Sequence, residues 1–347
     1  MDLAGPFSYI MGTSSFRRPT VCPFVPDSDA PTLRSPRIYG LVIAITLLAI
    51  GIGVWSGVSH GRTALLVLFG AVVVTGMPHG AIDHLMAAEL YGLRFTWADQ
   101  AKFYGAYLVL MALYGAFWVW APAASLIVFL GMTMYHFGQA DLAYWTLPPR
   151  PARLLYLSRG LFLIGLPIAA FPALVDPIFA AIGGLRPSTW PLLATHADAV
   201  VGGLVAQHVL ALGGAAAAND VDRRAGGREL LNVGVLTALF VLLPPLVAFS
   251  VYFGAWHALG HILEMLRFFR ERGTEPSTLA AFYREAALFT LLPFVGLAGL
   301  YGATQSFGLQ DEMVGLLFIL IAVMTLPHMI IVERLYRERE RQAGVVA

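Results

Sequence analysis

From residue 38 onward the chain is a succession of apolar runs, each about 20 residues long, separated by short segments that carry arginine, proline or glycine. A helix of that length covers the hydrocarbon of a bilayer, and inside lipid a helix is one of the two backbones that satisfy their own hydrogen bonds. Runs at 38–58, 63–88, 102–121, 123–145, 154–173, 194–217, 229–246, 247–267, 281–303 and 313–334 therefore predict ten transmembrane helices. Between the fifth and sixth, VDPIFAAIGGLRPSTWPLLA (174–193) mixes proline and glycine with apolar residues and reads as an interfacial or re-entrant segment. Residues 1–36 hold Pro6, Pro19, Pro23, Pro26, Pro31 and Pro36 and several serines, with no sustained apolar period. They read as a mobile tail without the basic start and apolar core of a signal peptide. The expected organisation is a tail over 1–36, one transmembrane domain over 37–335 that carries the site, and a charged tail over 336–347.

Composition agrees with the pattern. Hydrophobic residues make up 58% of the chain and charged ones 12%, with a mean hydropathy of +0.72, which excludes a water-soluble globular surface and leaves an all-α polytopic membrane bundle. The single cysteine, Cys22, lies in the tail, so no intrachain disulfide or cysteine-based metal site can form. A metal, if bound, is held by nitrogen or oxygen. The net charge of +1 points to no nucleic-acid partner, but its distribution is informative. With both termini inside, 20 of the 22 basic residues fall in inner segments, and only Arg62 and Arg186 lie outside. Since cytoplasmic loops collect Lys and Arg, this predicts a multi-pass protein of the plasma (inner) membrane with cytoplasmic N- and C-termini.

That topology gives the histidines depth. His79 and His84 fall on the second span, His136 on the fourth, His208 on the sixth, His257 and His261 on the eighth and His328 on the tenth. His79 is 15 residues from Arg94, His136 is 14 from Arg150, His261 is 6 from Arg267 and His328 is 6 from Arg334. All lie near the midplane or in the inner half. Ionisable side chains at such depth face the bundle interior and mark a site, and a metal ion is the simplest thing that would gather several imidazoles. In YFGAWHALGHILEM (252–265) His257 and His261 are four apart and emerge from one helix face. Glu264 follows on nearly the same stripe, where it could orient a ligand. Asp83 stands one turn from His79, and Gln139 shares the face of His136. Asp141 points elsewhere unless Gly138 distorts its helix, and the purpose of His84 is the least clear.

Plainer readings stand beside these. A lone membrane histidine more often hydrogen-bonds a neighbouring helix than binds metal, which is the reading for His208. His60 and His196, near the outer boundary, read as interfacial. Asp83 and Asp141 can serve as neutralisers of basic residues at the inner interface. The aromatics Tyr135, Phe137, Tyr252, Phe253 and Trp256 can be packing, and Pro327–His328 a kink.

Four blocks in order, PHGAIDH (78–84), HFGQAD (136–141), WHALGH (256–261) and LPH (326–328), resemble the signature of the Brp/Blh family, the membrane-bound bacterial and archaeal β-carotene 15,15'-dioxygenases that form retinal. They span essentially the whole membrane portion; the proline-rich tail has no counterpart in the resemblance. The resemblance implies an iron(II) cofactor on His79, His136, His257 and His261, with β-carotene and dioxygen as substrates and a functional link to a rhodopsin through the retinal. His328 matches a family block to which no role is carried over. It joins Asp83, Gln139, Asp141, Glu264, Tyr252 and Trp256 as residues that would support the ligands or touch substrate. The residues alone do not select iron, since zinc binds imidazole more tightly in the usual affinity order. The alternative is a membrane divalent-metal transporter or another histidine-metal membrane oxidoreductase. A transporter would line a path with carboxylates, and the odd-numbered spans hold almost none; the di-iron desaturases need adjacent His-His boxes, which are absent.

Overall fold

The computed structural model describes residues 35–57, 61–94, 96–143, 145, 149–218, 221, 223–307 and 313–342. The expected tail therefore lies almost wholly outside the described residues, as does His60. Every regular element among the described residues is helical. In chain order they are α1 (Pro36–Ser56), α2 (Arg62–Tyr91), α3 (Trp97–Trp120), α4 (Pro122–Leu142), α5 (Pro149–Ala170), α6 (Pro172–Gly183), α7 (Pro191–Ala217), α8 (Arg223–Leu242), α9 (Pro245–Arg272), α10 (Leu279–Phe307) and α11 (Met313–Gln342). Six of them, α1, α4, α5, α6, α7 and α9, open on a proline in the first turn, where the missing N–H costs no helical hydrogen bond.

Each of the ten expected spans is a helix. Among the described residues nine of them are long and apolar enough to cross a membrane; the remaining one, α4, is diluted by His136, Gln139 and Asp141. The uncertain segment after the fifth span becomes the 12-residue α6, too short to cross hydrocarbon, followed by a single 3-10 turn at Pro187–Thr189 whose Ser188 N–H and hydroxyl both donate to Asp176. The outer surface is apolar: Trp55 and Val119 are 89% and 88% exposed, as lipid-facing side chains should be. Trp55, Trp97 and Trp120 stand exposed at helix ends, the place of an aromatic belt.

Two contacts set the geometry of the interior. Helices α4 and α5 cross with their backbones touching: a Cβ on Gly138 would lie 1.8 Å from the Tyr156 carbonyl oxygen, and one on Gly160 would lie 1.7 Å from that of Met134. Only glycine fits at either position, the small-residue packing of membrane helices. Helices α2 and α9 meet where both loosen into π-turns, Val72–Gly76 and Tyr252–Ala258. A Cβ on Gly76 would come within 2.6 Å of the Phe253 ring. π-turns inside α-helices are frequent at functional sites, and here one precedes His79 while the other contains His257.

One arginine departs from its expected place. Arg159, counted above among the inner-loop charges, is 1% exposed in α5. Its guanidinium lies 3.0 Å from Asp141 on α4 and 2.5 Å from Glu229 on α8. Around this pair Asn232 donates to Glu229 at 2.9 Å and Tyr39 donates to Asn232 at 2.7 Å. His208 joins Ser158 of α5 (3.0 Å) to Glu229 of α8 (3.3 Å), the interhelical hydrogen-bonding expected of it. Burial forces this arrangement, because a charge inside a bundle is tolerated only when paired.

Candidate functional site

The site begins at the break in α2. Pro78 has no N–H to offer the carbonyl of Val74, four residues earlier, and its ring would clash with that carbonyl in a regular helix. The π-turn over Val72–Gly76 relieves the clash, and the freed Val74 carbonyl accepts from the Tyr283 hydroxyl of α10 at 2.8 Å. This is how a proline is accommodated in lipid: a neighbouring helix satisfies the released group. A second irregularity at Ile82 (φ −102°, ψ 16°) starts a new helical segment at Asp83. The break turns His79 inward, with Nδ1 set on the Gly76 carbonyl, and turns Asp83 toward α3 and α11.

Five imidazoles meet at this level. The His79 ring centroid lies 5.5 Å from that of His257, 5.7 Å from His261 and 4.9 Å from His328. The His136 ring lies 5.0 Å from His257, 6.2 Å from His261 and 5.6 Å from His328. His257 and His261 are 6.4 Å apart with planes nearly parallel, and His261 stands 5.5 Å from His328. None is more than 9% exposed. Residues from α2, α4, α9 and α11 are thus brought together although the outermost of them are separated by 249 positions (79 to 328).

The nitrogens define what the cluster can do. Nε2 of His136, His261 and His328 and both ring nitrogens of His257 are buried without a hydrogen-bond partner. A buried nitrogen left unsatisfied costs about 1–3 kcal/mol, so several in one place ask for a shared partner. A cation that accepts lone pairs from neutral imidazoles fits that demand, and the opposite ring edges are prepared for it. With Nδ1 of His79 donating to Gly76 and Nδ1 of His328 to Asp83 (2.9 Å), the lone pair of each ring is on Nε2, while Nδ1 of His261 faces the Tyr336 hydroxyl (3.4 Å). Among the described residues no three or more His, Cys, Asp or Glu side chains already stand in the arrangement of a closed metal-binding group. Rotation about χ2 would swing a ring nitrogen toward a shared ion without moving the ring from its place on the helix.

The other expected site residues fall around this cluster unequally. Asp83 touches it through His328 and also accepts from the Tyr107 hydroxyl at 3.2 Å. Gln139 is turned to Glu333, donating at 2.8 Å. Asp141 faces Arg159 and accepts from Tyr252 at 3.1 Å, away from the histidines. Glu264, expected to orient a ligand, is instead ion-paired with Arg339; the group beside His261 is the Tyr336 hydroxyl. Trp256 donates to Thr46 at 2.9 Å and packs in the core. His84 lies against Phe289 at 4.7 Å, and His196 is exposed at an irregular point of α7. Sequence reading missed Tyr107 and Tyr336, since a tyrosine in an apolar run gives no sign of where its hydroxyl ends.

Two features open from the histidines. A cavity of about 40 Å³ lies between His257 and His261 on one side and Asp141, Arg159, Arg228 and Asn232 on the other. A water needs roughly 10–15 Å³ on this measure, so the cavity suits a few molecules of water or dioxygen size and not a long polyene. Along α9, the rings of Phe249, Phe253, His257 and His261 stack in series with interplanar angles of 8°, 17° and 9°. The series runs from the half-buried phenylalanines to the buried imidazoles.

Comparison with known proteins accords with this architecture. Residues 70–336 match the family model described as beta-carotene 15,15'-dioxygenase. The chain is 30% identical over 333 residues to a probable beta-carotene 15,15'-dioxygenase Blh of Halobacterium salinarum, covering 87% of this chain and 92% of that protein. It is 23% identical over 271 residues to a beta-carotene 15,15'-dioxygenase of an uncultured marine bacterium, 66A03, covering 77% of this chain and 92% of that protein. No solved structure matches. The matched region holds all five clustered histidines, and this chain belongs to the beta-carotene 15,15'-dioxygenase family.

Proposed function

We propose that this protein cleaves β-carotene at its central 15,15' double bond with dioxygen, giving two molecules of retinal, at an iron(II) ion held by His79, His136, His257 and His261. The observation that carries the reading is the convergence of partnerless buried imidazole nitrogens at one level of an apolar bundle. Bound there, iron(II) would supply activation of dioxygen. Each carbon of the broken double bond takes one oxygen atom, so the reaction balances without an external reductant. The chain's own residues do the rest. Four neutral ligands leave the ion its full positive charge, and the surrounding apolar rings limit access of bulk water. A polyene dissolved in lipid meets the protein sideways, and an apolar wall ending at the metal would register its central bond. The Phe249–Phe253–His257 series suits that wall, spanning about two helical turns of α9.

The arginine distribution further supports placement in the plasma membrane with both termini cytoplasmic, and retinal delivery to a rhodopsin is the natural use of the product. Expressed in bacteria that accumulate β-carotene, the protein should bleach the cells and yield retinal in extracts. Membrane-inserted protein that left the carotenoid unchanged would refute the assignment. Phe253→Ala should lower kcat/KM roughly tenfold while leaving bound iron unchanged, the equivalent of about 1–1.5 kcal/mol of aromatic contact. Unaltered kinetics in that variant would remove the wall from the mechanism.

A further inference from the structure

His328 has no role carried over to it and is not one of the four expected ligands, yet the structure does not distinguish it from them. Its ring lies 4.9 Å from His79, 5.5 Å from His261 and 5.6 Å from His136. The same contacts among the expected ligands range from 5.0 to 6.4 Å. If His328 only supported a ligand it would hydrogen-bond one of them through Nε2. That atom is buried and has no partner.

The opposite edge of the ring is also built for coordination. His328 Nδ1 meets both oxygens of Asp83, at 2.9 and 3.1 Å, and the Tyr107 hydroxyl donates to the same carboxylate at 3.2 Å. A carboxylate behind an imidazole fixes its tautomer and raises its basicity toward a metal. Asp83 is itself 4% exposed, and among the described residues no Lys or Arg is ion-paired with it; the ring it meets is that of His328, which is neutral when Nε2 offers its lone pair to a cation. Burying a carboxylate with only neutral neighbours is costly. A divalent cation across the imidazole would supply the missing positive charge. The same two facts, a partnerless nitrogen on one side of the ring and an uncompensated carboxylate on the other, have one common solution.

We propose that His328 is a fifth metal-binding imidazole, presented to the ion by Asp83 and Tyr107. This rests on the metal-site reading above and changes its chemistry: five imidazoles would leave the ion fewer open positions than four. The substrate polyene would then be held by the protein wall alone.

The test uses full-length protein in detergent, stripped with chelator and titrated with Co(II), following affinity and the visible ligand-field spectrum. His328→Ala should bind cobalt at least 100-fold more weakly with an altered spectrum, and added imidazole should restore both. Asp83→Asn, which keeps the shape of the side chain, should weaken cobalt by roughly 10- to 100-fold, the usual effect of losing a partner behind a ligand, and Tyr107→Phe by less. These two variants keep the proposal testable should His328→Ala fail to fold. Parental affinity and spectrum in His328→Ala, with binding lost in His257→Ala, would overturn the fifth ligand and leave the four-histidine site standing. Failure of the parent protein itself to bind cobalt would overturn both.

Discussion

Alanine at His257 is expected to abolish carotenoid cleavage and to strip the protein of iron, and His79→Ala, His136→Ala and His261→Ala should do the same. His257 has both ring nitrogens buried and unpartnered, so no hydrogen bond explains its position, and its removal should leave the fold largely intact. The loss should exceed the 10- to 100-fold typical of residues that merely support a ligand, and the four deletions should not be additive, because groups acting on one ion fail together. His196→Ala, on an exposed side chain, and His84→Ala, on a ring packed against Phe289, should keep stoichiometric iron. Metal content by mass spectrometry and retinal yield, measured on the same preparations, decide it. Full activity with parental iron in His257→Ala would mean that the imidazoles do not share an ion.

The second large effect concerns stability and is independent of metal. Arg159→Ala would leave Asp141 and Glu229 buried in the bundle without the guanidinium that lies 3.0 and 2.5 Å from them. Breaking a buried pair by removing one partner costs about 3–5 kcal/mol, a large part of the roughly 5–15 kcal/mol by which proteins are stable. The variant should accumulate poorly and melt far earlier in detergent. Arg159→Lys should recover only part of the loss, since one ammonium nitrogen cannot replace the three guanidinium nitrogens that reach the two carboxylates. The triple change Arg159→Met, Asp141→Asn, Glu229→Gln should recover more than either, because no buried charge is left unpaired. A melting temperature for Arg159→Ala equal to the parent's would show that the network does not hold the bundle.

These two predictions separate the polar residues of the interior into kinds that the sequence presents alike. Arg159 was indistinguishable from a loop arginine because it follows the polar segment LPPRPAR (147–153) by only six positions. Its depth depends on how far α5 extends past α4, which is set by the contact of Gly138 and Gly160. Glu264 was placed on the ligand stripe by helical spacing, but the neighbouring helix brought Arg339 to it. Spacing fixes which face of a helix a residue occupies; what stands opposite that face is decided by another segment. Trp256 and Tyr252 likewise sat beside the histidines in sequence and are engaged by Thr46 and Asp141.

By itself the sequence determined the class and the number of long helices, because lipid imposes a length and an apolarity that can be counted residue by residue. It also gathered His79, His136, His257, His261 and His328 near the midplane or in the inner half, because an imidazole in hydrocarbon is costly enough to need a reason; the choice of His79, His136, His257 and His261 as iron ligands came from the family resemblance. Only the tertiary structure decided that His328 stands among them at 4.9 Å from His79, that Asp83 serves His328 and not His79, one turn before it, and that Tyr107 closes the set. The physical reason is that the break at Pro78 and Ile82 rotates Asp83 away from the stripe an unbroken helix would give it. The residue it then meets lies 245 positions further along the chain, on a helix whose packing no local pattern records.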